Sequence, residues 1–479
     1  MKKITEDSLD KKIIAVFPDE SVFKNSKKYS VFSGFSIPSF VKDWLIKMFS
    51  DENGNLDEFG LKKFINNNLA NNQKNVKGTL ITDHNEVTLL ARIIVEPDIK
   101  KGKLHFSVPD AGLKMNECEI PDYIAREHPE LKGGEVWGII TLDYLIPSGN
   151  EKGVILLDNF KSFKPYSVDF DYFASKRKEF SLEEWIDFLL RSMEYNPSGF
   201  DSFTQKLLFI SRLLVFVEPN LNLMELAPKG TGKSYVFSNL SKYGWVVSGG
   251  TVTRAKLFYD IGKESPGLIQ QYKFLALDEI ETIEFKNQNE LQGALKNYLE
   301  NGSFTVAKYK GDSTCGLIVL GNIPLDENKR PLNKQYVANL HKFFMDPALL
   351  DRFHGFIEGW YLPRMREEMK ISGYGLNVEY FSEILNEMRT KSEFKTIVEQ
   401  LIDVPPKSDT RDTKAIIRIA TAYLKLLFPD VRSVDDVNRE YFKEYCLNPA
   451  MNMRGIIRSQ ISMIDAEFNE SLPDIKMKL

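Results

Sequence analysis

Cysteine is almost missing from this chain. Three occur in 479 residues, at Cys118, Cys315 and Cys446, with no paired spacing. That excludes a disulfide framework and a zinc ribbon, and points to a reducing compartment. The five histidines are scattered, without an HExxH pair or a tight cluster, so no metalloprotease signature is present. No stretch approaches the ~18 apolar residues of a membrane helix, and the opening MKKITEDSLDKK lacks the apolar run of a signal peptide. Neither sign of charge dominates: 63 Lys and Arg against 67 Asp and Glu leave a net −4. No global polycation marks a nucleic-acid binder, although a ring can confine its positive charge to a pore. Internal repeats and low-complexity segments are absent too. These absences lead to the expectation of a soluble, cytoplasmic protein, long enough for roughly two to four domains.

What is present is concentrated in two short motifs. APKGTGKS at 227–234 follows the apolar strand NLMEL and precedes a helical pattern, and FLALDE occupies 274–279. Gly230 and Gly232 let backbone N–H groups close around phosphate oxygens at a helix start. Pro228, Lys229, Thr231 and Tyr235 complete the cradle. Lys233 is expected to neutralise the β- and γ-phosphates of ATP, and Ser234 to ligate Mg²⁺. Ala227 stands where the first glycine of such a loop is usual. In FLALDE, four apolar residues make a strand buried on both faces. Asp278 is then expected to hold Mg²⁺, with Glu279 as general base. Order and spacing suggest an AAA+ ring ATPase, a parallel sheet flanked by helices. Three positions complete its site. Asn322 ends the LIVLGN strand and helps position water. Arg352, in ALLDRF, is the candidate arginine finger for a neighbouring subunit. Arg411, preferred over Arg418 on the RDTKAIIRIATAYLKLLFP helix, is expected to touch the γ-phosphate from a helical lid.

The rest of the chain divides by pattern. Residues 1–77 read as helical, and the polar stretch NNNLANNQKNVKG at 66–78 as a loop. Residues 78–167 read as strands: TLIT, EVTLLARIIVEP, KLHFSVP, EVWGIITLDYLIP and GVILLDNFKSFKPY. Five such strands suit an OB-like barrel, a frequent nucleic-acid binder. Residues 168–219 form a helical connector in which Ser181 and Glu184 make a capping box. The ATPase core spans 220–365, and a helical lid and tail 366–479. Before LIVLGN, GSFTVAKYKGDS reads as a hairpin: SFTVAKY one strand, KGD the turn, CGLIVLGN the return. Its tip carries Lys308 and Lys310, placed as in the DNA-directed pore hairpins of MCM-class helicases.

NLMELAPKGTGKSYVFSNLS, VVSGGTVTRAKLFYD, FLALDEIETIEFKNQNELQGALKNYLENGSF and ALLDRFHGFIEGWYLPRMR together resemble the BrxL family, the Lon-like AAA+ ATPases of BREX phage-defence systems. The resemblance extends over about residues 30–460 and includes EVWGIITLDYLIP, FSLEEWIDFLLRSMEYNP and GYGLNVEYFSEILNEMR. It implies an MCM-like ring, a hexamer or double hexamer, that encloses double-stranded DNA and works beside other BREX defence proteins. The roles of Lys233, Ser234, Asp278, Glu279, Asn322 and Arg352 carry over on matching motifs. Longer relatives continue into a Lon-protease-like domain. This sequence stops after helices, so proteolysis is not expected of it.

Two alternatives compete with the DNA-encircling motor or clamp. One is a protein unfoldase of the Lon or Clp type. Such machines grip polypeptide with an aromatic–apolar–Gly tripeptide between the nucleotide motifs, and YVF, WVV and FYD lack the glycine. The other is a nucleotide-locked DNA-binding ring with little turnover, against which the intact Glu279 argues.

Overall fold

The computed structural model describes residues 6–25, 29–35, 37–51, 56–83, 85–98, 102–132, 134–147, 153–162 and 168–478. Two compact units result, one from 1–25 with 167–479 and the other from 26–166. The region expected as one helical segment, 1–77, is therefore shared between them.

In the 26–166 unit, five strands close a barrel in the order Val87–Asp98, Lys103–Ser107, Cys118–Ile120, Val154–Ser162, Gly134–Leu145. Neighbours are antiparallel except Cys118–Ile120 and Val154–Ser162, which run parallel. Alternation drives this closure. Leu89, Ala91, Ile93 and Val95 point into one core, with Phe106, Ile140, Leu142 and Leu157. Leu90, between them, packs instead with Val41, Leu45, Leu61 and Ile65 of the helical segments. The expected strand TLIT is part of a helix, Val76–Thr82. The Asn75 side chain accepts from the N–H of Gly78 and caps it, and Val76 and Leu80, four apart, bury one face. Most of the expected 66–78 loop is accordingly helical, and Cys118–Ile120 supplies the fifth strand. The end of the last expected strand, 163–166, and the first five residues lie outside the described residues.

The other unit is built on a parallel sheet ordered Gly355–Glu358, Asn222–Ala227, Gly316–Asn322, Phe274–Phe285, Gly244–Val252. Its central strands are buried on both faces, as apolar runs such as LIVL require. Register pairs Asn322 with Ala227, Leu277 with Val319 and Asp278 with Ser248. The carboxyl ends of four strands therefore lie along one edge. The strand Ser21–Asn25 pairs antiparallel with Ser372–Leu376, tying the chain start to this unit. Helix Leu182–Ser192 begins with the expected Ser181/Glu184 capping box. C-terminal helices Val378–Met388, Glu393–Leu401, Thr410–Leu427 and Asn448–Ser462 complete the unit. All three cysteines are buried thiols, and burial pushes Cys118 and Cys315 up to about 12. No described helix is long and apolar enough to cross a membrane.

Candidate functional site

The loop after Asn222–Ala227 turns on Gly230 and Gly232, with φ of +82° and +77°. A side chain is strained at either angle. Beyond Gly230 lies open space, whereas a Cβ on Gly232 would stand 2.8 Å from the Tyr195 hydroxyl. The loop hangs on a buried scaffold. Arg212, fully buried, donates to both Glu225 oxygens and, at 2.9 Å, to the Thr231 carbonyl. The Met365 N–H donates to the Gly230 carbonyl at 2.7 Å. Tyr235, just inside the helix, donates to Glu194. Glu225→Ala would strand the Arg212 charge in the interior. It is expected to destabilise the protein by about 3–5 kcal/mol, read as a lowered denaturation midpoint. An unchanged midpoint would show that the pair does not hold the loop.

Lys233 opens the helix Lys233–Asn239. Its ammonium donates to the carbonyls of Ala227 (3.1 Å) and Pro228 (3.3 Å) and to Oδ1 of Asn322 (3.4 Å). Burial pulls its pKa below the ordinary lysine range, and the carboxylates of Glu225, Asp278 and Glu281 partly offset that. The Ser234 hydroxyl donates to Oδ2 of Asp278, whose Oδ1 accepts from the N–H of Glu279 at 2.9 Å. Asp278 is buried and Glu279 exposed. Between Asp278 and Ile283 the pairing with Gly244–Val252 slips, so residues 279–282 bulge out opposite Gly249. Bulges of this kind re-aim side chains beside active sites. Glu279 starts the bulge at φ +48°, rare for a residue with a Cβ. Thr282 closes it by donating to the Glu279 carbonyl at 2.9 Å. The bulge brings in Glu281, which sequence reasoning did not single out and which accepts from Nδ2 of Asn322 at 2.5 Å.

This donor set fits a nucleotide with magnesium. Mg²⁺ keeps waters and phosphate oxygens, and needs only one or two protein oxygens. A hydroxyl and a buried carboxylate in mutual contact, Ser234 and Asp278, would supply them, whereas the described residues contain no group of three or more His, Cys, Asp or Glu suited to a metal.

Arg352 and Arg411 form a second cluster. Arg352 donates to the Ala348 carbonyl and lies 3.3 Å from Glu300. Arg411 donates to the same Glu300 and to Asp351, each at 2.9 Å. Buried Arg454 anchors the group, bridging Asp351 and Asp412 at 2.7 Å each. No hydrogen bond or ion pair among the described residues joins this cluster to Lys233. Glu300 and Asp351 hold the guanidinium of Arg411, the residue expected from sequence to touch the γ-phosphate. Arg418 donates to the Asn220 carbonyl at 2.8 Å instead.

A cavity of 1350 Å³ opens beside Pro228, Lys229 and Asn322. Lys329, Arg330, Lys334 and Arg364 line it too, and with Lys229 they make no ion pair among the described residues. The loop that carries Lys329 and Arg330 is pinned, since Asp326 accepts from the N–H groups of Asn328 and Arg330 at 2.8 Å.

The lysine hairpin exists, but with a different turn. Ser303–Val306 pairs with Tyr309–Asp312, so Ala307 (φ +50°) and Lys308 make the turn. Lys310 lies in the returning strand, opposite Thr305, and 316–322 belongs to the parallel sheet. The turn tightens because Tyr309 is held: it stacks on Tyr259 at 3.7 Å and 9°, and accepts from Gln270 at 2.8 Å. Lys308 and Lys310 are both exposed.

Fold and site together define an α/β protein built around an ATPase domain. Residues 155–474 match the family described as Lon-like protease BrxL-like, ATPase domain, and residues 15–144 match BREX system Lon protease-like protein BrxL N-terminal. The chain belongs to the BrxL family. It is 29% identical over 437 residues to a Lon-like protease BrxL from Escherichia coli O9:H4 (strain HS), covering 90% of this chain and 61% of that protein. It is also 29% identical over 450 residues to one from Bacillus cereus (strain H3081.97), covering 91% and 64%. The chain thus spans less than two thirds of these curated relatives.

Proposed function

We propose that the protein is an AAA+ ATPase ring that encircles double-stranded DNA, as motor or clamp, in BREX phage defence. The observation that carries the ATPase part is the single carboxyl edge on which Lys233, Ser234, Asp278 and Asn322 meet. Lys233 would leave its carbonyl partners for the β- and γ-phosphates. Ser234 and Asp278 would hold Mg²⁺, which supplies charge neutralisation at the transferring phosphoryl group. Glu279 would take a proton from the attacking water, with Asn322 beside it. The 5-1-4-3-2 strand order, numbering the strands along the chain, agrees with an AAA+ core.

The arginine cluster supports a ring. Arg352 and Arg411, bonded to Glu300 and Asp351 rather than to the phosphate loop, would serve a nucleotide presented by a second copy, in a head-to-tail arrangement of the kind that builds rings. For DNA, the support is the exposed Lys308 and Lys310 and the five-stranded barrel, whose strand order suits an OB-like module.

Steady-state ATP hydrolysis with and without long duplex DNA, at two salt concentrations, tests the reading. Salt-sensitive stimulation by DNA is expected. Lys308→Ala with Lys310→Ala should weaken DNA binding and make it less salt-dependent, the slope falling by about one for each phosphate no longer neutralised. Hydrolysis indifferent to DNA would direct the search to protein substrates, and an unchanged slope would remove the hairpin from the DNA interface.

A further inference from the structure

We infer that Glu281 is a positioning residue of the ATPase site, acting through Asn322; the inference rests on the ATPase reading above. A carboxamide has one accepting and one donating end, so its partners decide which way it faces. The Lys233 ammonium can only donate, and it sits at Oδ1 of Asn322, 3.4 Å away. The Glu281 carboxylate, when ionised, can only accept, and it takes Nδ2. Both partners demand the same orientation. Turning the amide would set its NH₂ against an ammonium and its carbonyl against a carboxylate.

The two partners part company when the site works. Lys233 is the residue that must move to phosphate, and it then releases Oδ1. Glu281 stands on the bulge closed by Thr282 and keeps its hold on Nδ2. Asn322 is therefore left with its oxygen toward the space Lys233 vacated, able to accept a hydrogen bond from water near Glu279. Without Glu281, the amide is free to turn and donate to a phosphate oxygen, which binds nucleotide but no longer orients water. Glu279 and Glu281 thus divide the labour of one bulge. The first carboxylate accepts no side-chain hydrogen bond among the described residues and stays available as a base. The second is committed to an amide.

The test is a double-mutant cycle with three readouts: kcat, affinity for a fluorescent ATP analogue, and the thermal midpoint of the nucleotide-free protein. Glu281→Ala should lower kcat on the order of tenfold while analogue affinity stays within about twofold. Glu281→Gln keeps an acceptor and should recover most of the rate, which Glu279→Gln should not. Glu281→Lys, a donor only, should fall below the alanine variant. In an Asn322→Ala background, Glu281→Ala should cost nothing further in kcat, and the midpoints should show the same non-additivity. Wild-type kcat in Glu281→Ala, or additive losses in the double variant, would overturn the inference. So would Glu281→Gln as inactive as Glu279→Gln, because the carboxylate itself would then be the base. A wild-type protein that turns over no ATP would refute the ATPase reading instead, and the midpoint cycle would still report whether Glu281 and Asn322 are coupled.

Discussion

Glu279→Gln is expected to cut ATP turnover on the order of 10²–10⁴-fold, the range general-base catalysis supplies, while nucleotide binding and assembly persist. The substitution keeps size and shape, so the bulge at 279–282 should survive it. The backbone at φ +48° is stabilised from both sides: Asp278 accepts from the Glu279 N–H, and Thr282 donates to the Glu279 carbonyl. Neither bond involves the carboxylate. What the variant removes is the ability to take a proton from water. Single-turnover hydrolysis, with retention of labelled ATP on the protein, measures it. Turnover at the wild-type rate would transfer the base to another group, with Glu281 the first to examine.

Arg352→Ala should be at least as severe, since an arginine finger contributes ~10³–10⁵ in rate. Its effect should also be non-local. Arg352 lies with Glu300 and Arg411, and as a finger acting in trans its loss would damage the site on the neighbouring copy. Mixing distinguishes this from a folding defect. Arg352→Ala and Lys233→Ala proteins are each expected to be inactive alone. In mixed assemblies, some interfaces pair an intact Lys233 from one parent with an intact Arg352 from the other. Activity that appears on mixing and peaks at intermediate ratios is the expected result. Inactivity at every ratio would place Arg352 among structural residues.

How much of the fold and site is legible in the sequence follows from the range of the interactions involved. The loop, the acidic strand end and LIVLGN are local patterns, and short apolar runs such as FLAL and LIVL, ended by paired acids or by glycine, fit buried parallel strands. The Arg212–Glu225 pair is not legible, because nothing in either residue's neighbourhood marks the other as its partner. Glu281 is hidden for a similar reason: in IETIEF it reads as one more alternating surface acid, and only the bulge turns it toward Asn322. A signal exists in Ser248-Gly249-Gly250, since two glycines within a strand warn of irregular pairing. TLIT misleads because three β-prone residues, Thr79, Ile81 and Thr82, weigh less than the Asn75 cap and the Val76/Leu80 spacing. The KGD turn misleads because Gly and Asp favour turns, yet the grip of Tyr259 on Tyr309 moves the reversal to Ala307–Lys308.

The pairing of Ser21–Asn25 with Ser372–Leu376 also bears on how the chain is made. The first strand leaves the ribosome long before its partner, which follows only after the barrel segment and the whole parallel sheet have been synthesised. Residues 26–166 make most of their contacts among themselves and can complete folding while translation continues. The unit formed by the flanking segments stays open at its N-terminal seam until synthesis passes Leu376. Contacts this distant along the chain are slow to form, so the pairing of Ser21–Asn25 is expected among the late steps of folding.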